Sequence, residues 1–579
     1  VGINLGVSQT VSRIAFGRDN SGAFVDRAFG RYTVQYTTAA NPDASTPDGQ
    51  WTTLGTLDYQ SAGGPMFAEP HRRHLYGFPA VMATGLRIVT ASAVDFIGID
   101  EIEIYQASAA LAMSRDGGLP VPVGSTVAFG SSHAGDPVGK TFTLANAGTD
   151  TLSFSSFAIT GGASGDFLVT PPGTTALAPG QITTFTVTFT PSIVGTRAAT
   201  LQFTTNDPSH TGATLDLTGS GLAPTFNTAT TQGLSFPKGA AAVDLATATG
   251  ATPAGGTFSG PNVAGGTFDP GGLGFGLHTL SYTRNGVTAN FRVAIIGGMD
   301  LFETGGSASP ANLAPGGTAF AFDEIGAGPH AIAKLNDGLY GNANSWIAGS
   351  GRSFAGIALS PTPVVVNRIA FGRDNTGGFL DRARGAYILQ YTTEPDPANA
   401  DNGFWTDIGA VDTRAMTDPH LRRLFAFPAV AATGLRLVTE TDSDFTGIDE
   451  IEIYNTLSPL ESWRLIHFGT TANNGDAEDN FDFDNDGVAN LIEFAFGLDP
   501  KNPTERQLPA PLRVNENLEV RFTQPPGVSG VIFGAEWSTT LEEGDWQAIP
   551  NSGDAPEHLF QVPTMGRDKL FFRHRITRP

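Results

Sequence analysis

The sequence predicts an all-β protein, a series of β-sandwiches with one short helical segment near the C-terminus. Three observations carry this. Ile14-Ala-Phe-Gly-Arg-Asp-Asn20 recurs letter for letter as Ile369–Asn375, and Gly98-Ile-Asp-Glu-Ile-Glu-Ile-Tyr105 returns as Gly447–Tyr454, so one module is duplicated. Between these anchors both copies carry a Tyr-x-x-Gln-Tyr-Thr-Thr strand, a Trp-Thr, a Pro-His-x-Arg and an Ala-Thr-Gly-Leu-Arg strand. Gly 72 and Pro 38, with abundant Thr and Phe and scarce Lys, are the profile of short strands joined by turns. Finally, stretches such as Thr184-Phe-Thr-Val-Thr-Phe-Thr190 alternate apolar and polar residues with the period of a strand.

At 579 residues the length predicts about four domains. The net charge of −23 disfavours nucleic acid and anionic membrane surfaces, which are bound through Lys and Arg. It suits solubility and divalent cations. With no cysteine, disulfides cannot brace the domains, so cores and metals must. No apolar run approaches the roughly 20 residues of a membrane helix.

Residues 1–108 are the first copy. Val1-Gly2-Ile3 aligns with Ala355-Gly356-Ile357, so this copy opens in mid-module, without initiator Met or signal peptide. A fragment or processed chain is expected. An incomplete sandwich should expose Ile14, Phe16, Val34 and Ile88, to be covered by a removed segment or by a neighbouring chain adding a strand. The exit strand Ile99–Tyr105 and the Gly-Leu-Arg strand before it resemble discoidin-like (coagulation factor 5/8 type C) modules. That resemblance implies an eight-stranded jelly roll of the galactose-binding class. Residues 299–456 are the second, complete copy, in which Leu335-Asn-Asp-Gly338 followed by Trp346 adds to the resemblance.

Residues 119–222 read as an immunoglobulin-like sandwich, with Phe185, Val187, Phe189, Leu201, Phe203, Leu215 and Leu217 inward. Lys140–Gly148, Thr205-Asn-Asp-Pro208 and Leu217-Thr-Gly-Ser-Gly221 resemble the bacterial choice-of-anchor D or ASH-type module, which implies a spacer without catalytic residues. Residues 223–298 resemble small Ig-like repeats of bacterial surface proteins. Residues 457–503 carry two helices, Ser462–Phe468 and Asn490–Phe496, with Ser458 as cap and Gly497 as stop. Residues 504–579 return to strands and resemble the terminal sandwich of large secreted bacterial proteins.

Chemistry concentrates in Asp482-Phe-Asp484-Asn-Asp486-Gly487-Val488-Ala-Asn490-Leu-Ile-Glu493. Its spacing fits a calcium loop at every ligand position: Asp482, Asp484 and Asp486 at 1, 3 and 5, the Val488 carbonyl at 7, Asn490 at 9 and Glu493 at 12. It resembles the loops of dockerin and thrombospondin type 3 repeats. The discoidin-like resemblance further implies a calcium in the second copy at Asp337 and Glu452, with Asp449 nearby. A turn aspartate and strand-edge carboxylates are the plainer account.

Arg373, Asp374 and Asn375, with Asp381-Arg382, fit either a ligand-binding loop or an Arg–Asp lattice stiffening a long turn, as do Arg18-Asp19-Asn20 with Asp26-Arg27. His420 and Arg422, like His71 and Arg73, fit sugar hydroxyls, an acidic neighbour or a solvated edge. Trp405 and Trp51 fit a sugar platform or a core position. No catalytic motif is recognisable. The resulting expectation is a non-enzymatic extracellular or cell-surface structural and adhesive protein, a scaffold or filament subunit whose partners are itself or cell-surface glycans. The alternative is the carbohydrate-binding accessory region of a larger secreted hydrolase.

Overall fold

The computed structural model describes residues 1–579 except 25, 60–68, 92–95, 326, 327, 329 and 442–444. Strands dominate and stack into serial sandwiches. The chain forms two compact units: Val1–Thr225 with Thr252–Thr257 and Tyr282–Ala289, and Phe226–Ala251 with Phe258–Ser281 and Asn290–Pro579. Among the described residues no helix is long and apolar enough to cross a membrane.

In the first unit, copy one is a five-stranded sheet ordered Thr52–Asp58, Arg31–Thr37, His74–Ala91, Gly2–Gly17, Glu101–Gln106. Its two long strands pair through bulges between Asn4 and Gln9 and between Val11 and Arg13. In copy two the corresponding halves are separate strands in separate sheets. Asp300–Thr304, Arg423–Ala432, Val364–Gly372 and Glu450–Tyr454 make one; Thr318–Ala321, Arg352–Ala358, Gly434–Glu440, Ala386–Thr392 and Thr406–Asp412 make the other. The duplication extends to irregularities: each copy bulges at Val34/Gln35 or Leu389/Gln390, and at Val11/Arg13 or Val366/Arg368. Bulges bend a strand, so in copy one two continuous strands pass from one layer into the other. That corrects the expected exposure: Ile14, Phe16, Val34 and Ile88 are at most 5% exposed, packed with Tyr32, Tyr59 and Leu86.

The immunoglobulin-like sandwich sets Ala176–Leu177, Leu152–Thr160, Gly195–Thr205, Gly212–Leu222 and Thr126–His133 against a second sheet of Phe167–Thr170, Ile182–Phe189, Val138–Asn146, Leu111–Arg115 and Leu119–Pro120. The seven residues expected inward are all buried. Leu111–Arg115 lies in what the sequence presents as linker; it pairs with Val138–Asn146 and so belongs to the sheet.

In the second unit, two short helices, Thr228–Thr231 and Leu245–Thr249, were not evident in the sequence. The latter forms because the Asp244 side chain accepts the Thr247 N–H at 2.8 Å and Gly250 ends it in the left-handed region. Pro459–Phe468 carries a capping box between Ser458 and Glu461, and Asn490–Phe496 ends on Gly497 at φ 68°. Leu460, Leu491 and Phe494 bury against Phe533 and Ile576 of the last strands, tying the helical segment to the C-terminal sheets.

One polar frame is built in both copies. The His71 carbonyl accepts Arg18 N and Asp19 N, and the His420 carbonyl accepts Arg373 N and Asp374 N. The arginine then crosses to the exit strand: Arg18 Nη1 to Asp100 at 2.7 Å, Arg373 Nη1 to Asp449 at 2.8 Å. Gly98 and Gly447 leave it room, since a Cβ there would lie 2.8 and 2.7 Å from the arginine Cδ. A second rung joins Arg73 to Glu103 and Arg422 to Glu452.

The copies differ in cover. Asp100 is 53% exposed but Asp449 0%. Over the latter the segment after Asp337 lays down the Gly341 N–H to Asp449 Oδ2, Asn342 Oδ1 to Arg373 and the Tyr340 hydroxyl to Glu452. Removing one partner of a buried pair costs about 3–5 kcal/mol, whereas an exposed pair contributes about 0–1 kcal/mol. Arg373→Met is therefore expected to destabilise the second unit by several kcal/mol in chemical denaturation. Arg18→Met should change the first by less than about 1 kcal/mol. Equal costs would contradict this account of the frame.

Candidate functional site

The acidic loop sits between the two C-terminal helices. Asp482, Asp484 and Asp486 bring their carboxylate oxygens within 4.8 Å of one another, the one such set of three among the described residues. Backbone geometry holds them: Gly487 N donates to Asp482 at 2.8 Å, Val488 N donates to Asp486 at 2.8 Å, and Gly487 takes φ 96°. Asn490 Nδ2 donates to the Asp476 and Glu478 carbonyls at 2.9 and 2.8 Å, which leaves its Oδ1 free. Glu493 decides what the loop can hold. It is 1% exposed, and neither carboxylate oxygen has a partner. Burial, then Asp484, Asp486 and Asp482, push it up to about 8. Buried polar groups are normally satisfied, so this donor set fits a hard divalent cation taking oxygen ligands.

The second cation site is not assembled as expected. Asp337 pairs with Lys334 at 3.0 Å, and Asp449 is taken by Arg373. Glu452 receives Arg422 through Nε and Nη2, together with the Tyr340 and Tyr454 hydroxyls. Burial acts upward on Glu452, but Arg422 and the two tyrosines outweigh it and hold the carboxyl below its usual range. Arginine thus supplies the charge that an ion was expected to bring. The carboxyl left over is Glu450: 0% exposed, Oε2 accepting Gly338 N at 2.9 Å, Oε1 without a partner. Its place in the repeated Ile-Asp-Glu-Ile-Glu run, on the inward side, was the available signal.

The residues expected in a ligand loop are also corrected. Arg373, Asp374, Trp405, His420 and Arg422 are all at most 8% exposed. Asp374 accepts Thr376 N and Phe379 N, forming the turn rather than meeting a ligand. Asn375 is half-buried and donates to the Gly306 carbonyl. Arg373 also reaches Asp381 at 3.5 Å, so the lattice reading describes this loop, extended to the exit strand. Arg373, Asp374 and Arg422 are committed to partners inside the fold, and Trp405 and His420 are buried with Trp405 Nε1 and His420 Nδ1 unpaired, so this loop is not an open glycan site.

An open polar–aromatic surface lies instead on the five-stranded sheet of copy two. A groove of about 360 Å³ is lined by Phe322, Arg352, Phe354, Gln390, Asn402 and Arg436 among others. Arg436 is clamped between Phe354 and Trp405, 4.5 and 4.3 Å from their ring centroids, and its Nε donates to Gln390 Oε1 at 2.7 Å. Phe322 is 67% exposed and meets Phe354 at 5.8 Å between centroids. Copy one repeats the floor: Arg87 lies over Trp51 at 4.5 Å and donates to Gln35 at 2.8 Å. The signal in the sequence was an arginine inside the apolar Gly-Leu-Arg strand of each copy.

Residues 123–220 match the family described as HYDIN/CFA65/VesB-like, Ig-like domain. No curated protein matches the chain. Among solved structures, the chain is similar to the Clostridium perfringens module CpGH89CBM32-5, in complex with GalNAc-beta-1,3-galactose, at 17% identity over 25% of this chain and 99% of that one, TM-score 0.21. It is similar to the family 32 carbohydrate-binding module of Streptococcus pneumoniae EndoD at 16% identity over 25% and 99%, TM-score 0.20. The ASH/PapD-like domain 7 of human CEP192 is 18% identical over 20% and 87%, TM-score 0.15. The chain spans only 28% of the length of SpGH29, another structure it matches. At these identities and scores the function rests on the geometry above.

Glu450 yields a test by pH. Burial, ahead of the opposing Gly338 N–H, pushes it from 4.5 up to about 8, so the fold favours its neutral form. The stability this contributes is whole below about 4.5 and lost as pH rises towards 8. Glu450→Gln keeps the neutral shape. Its stability relative to wild type, from denaturation midpoints, should climb across that window; a difference flat with pH would refute the assignment.

Proposed function

We propose that this chain is a non-catalytic, glycan-binding region of an extracellular protein, in which calcium-braced sandwiches carry a saccharide-binding groove on copy two. The observation that carries the reading is the floor built twice from the same three residue types, Arg436, Trp405 and Gln390 in one copy and Arg87, Trp51 and Gln35 in the other. A saccharide ring offers a C–H face that stacks on aromatic rings and a rim of hydroxyls that both donate and accept hydrogen bonds. The copy-two groove offers both complements: Phe322 and Phe354 as walls, Gln390, Asn402 and Arg436 as polar groups.

Binding by the whole chain is testable on an immobilised glycan panel. Phe322 is exposed enough to be changed without disturbing the core. Loss of one aromatic wall, worth about 0.5–1.5 kcal/mol, is expected to weaken binding by up to about tenfold in Phe322→Ala. Glycan binding that survives this change together with Gln390→Ala at full strength would place the site elsewhere.

Calcium is proposed at 482–493 as a structural ion. Titration calorimetry should find one site there. At a hundredfold excess over its Kd the ion should stabilise the helical segment and the C-terminal sheets by about 2.7 kcal/mol. Chelation should raise hydrogen exchange there first, and Asp486→Ala should abolish the response. An unchanged exchange pattern after chelation would remove the ion from the reading.

A further inference from the structure

The two copies share this floor but differ in one charge. In copy one Arg87 is answered by a carboxylate: Nη2 lies 2.9 Å from Asp48 Oδ1. Counting back three residues from Trp51 and Trp405, the copy-two residue in the place of Asp48 is Asn402. It lines the groove beside Arg436. Among the described residues no carboxylate lies within ion-pair distance of Arg436; Asp407 is held off on the amide of Gln390, at 2.8 Å. The faces of the guanidinium are covered by Phe354 and Trp405, and its Nε is used by Gln390. Arg436 is 4% exposed, and its Nη edge on the groove it lines is what remains for a ligand.

Resting on the reading of this groove as a saccharide site, we infer that copy two selects an acidic saccharide, whose carboxylate or sulfate takes the open Nη edge of Arg436, while Asp48 closes that position in copy one. A planar fork meeting a carboxylate or sulfate with two parallel N–H donors is a strong and directional pairing. The surroundings favour it. Burial, and then Arg352, lower Arg436 to about 10, so this cation is one that gains from an arriving anion. Arg352 is the second cation of the lining, its Nε on Glu440 at 2.8 Å and its side chain 72% exposed. Phe322 is placed to stack on the ring that bears the acid.

The test exchanges the one charge. Full-length wild type, Asn402→Asp and Asn402→Ala are titrated with trigalacturonate, a sulfated dextran fragment and neutral galactotriose. Wild type is expected to bind an acidic probe at least tenfold more tightly than galactotriose, with the preference shrinking as salt rises. Asn402→Asp should erase the preference, the acidic probes falling to the affinity that galactotriose has for the same variant. Asn402→Ala should keep the preference, which separates the carboxylate from loss of the amide. A response to sulfate but not to galacturonate, or the reverse, identifies the anion and supports the inference. Equal affinity for acidic and neutral probes in wild type, or a preference untouched by Asn402→Asp, would overturn it while leaving the groove a saccharide site. No binding of any probe, with Phe322→Ala indistinguishable from wild type, would overturn both.

Discussion

The jelly-roll copies depend on a ladder of arginine–carboxylate pairs between the long turn after one strand and the exit strand. Arg373 and Arg422 are among the largest fully buried side chains of the chain, and each ends on a carboxylate that is itself 0% exposed. Such charges persist in an interior only when paired and saturated with hydrogen bonds. Here most of those bonds are supplied by Asn342 and the Gly341 N–H on the Arg373–Asp449 pair, and by the Gly305 carbonyl, Tyr340 and Tyr454 on the Arg422–Glu452 pair, while Arg373 Nε stays without a partner. The ladder defines where the turn lies, which glycine must follow it, and which face of the exit strand points inward.

The comparison between copies separates the ladder from its cover. The pairs form in both, with the same atoms and nearly the same distances, so the turn, the glycine and the exit strand suffice to build them. Their burial is a separate property, contributed in copy two by residues 338–342. The same ionic contact is therefore a surface pair in one copy and a core element in the other. The physical difference lies in desolvation, since the geometry is shared.

A chain without cysteine needs other braces, and the C-terminal region has two. Leu460, Leu491 and Phe494 join the helices to the last sheet through apolar contact. Asp479 adds a polar tie, pairing with Arg464 of the first helix and, at 2.8 Å, with Arg578 of the C-terminal segment. The acidic loop lies within this frame, which is why loss of its proposed ion would be felt beyond the loop itself.

Much of this organisation was legible in residue order. The duplication, the alternation of the strands, the inward set of the Ig-like sandwich, Ser458, Gly497 and the spacing of Asp482 to Glu493 are local patterns, and local patterns follow from the periods of strand, helix and turn. The fate of Asp449, Glu452, Arg373 and Arg422 was not local. Their partners stand 76 and 30 residues apart, and a carboxylate reads alike whether it meets an ion or an arginine. The groove was hidden for the same reason: Phe322, Asn402 and Arg436 come from three distant segments and meet only when the sheet has formed. Sequence alone thus determined the modules and the residue types available to them. Tertiary structure decided which charges are buried and satisfied and which face solvent, because burial belongs to the packed chain and to no residue by itself.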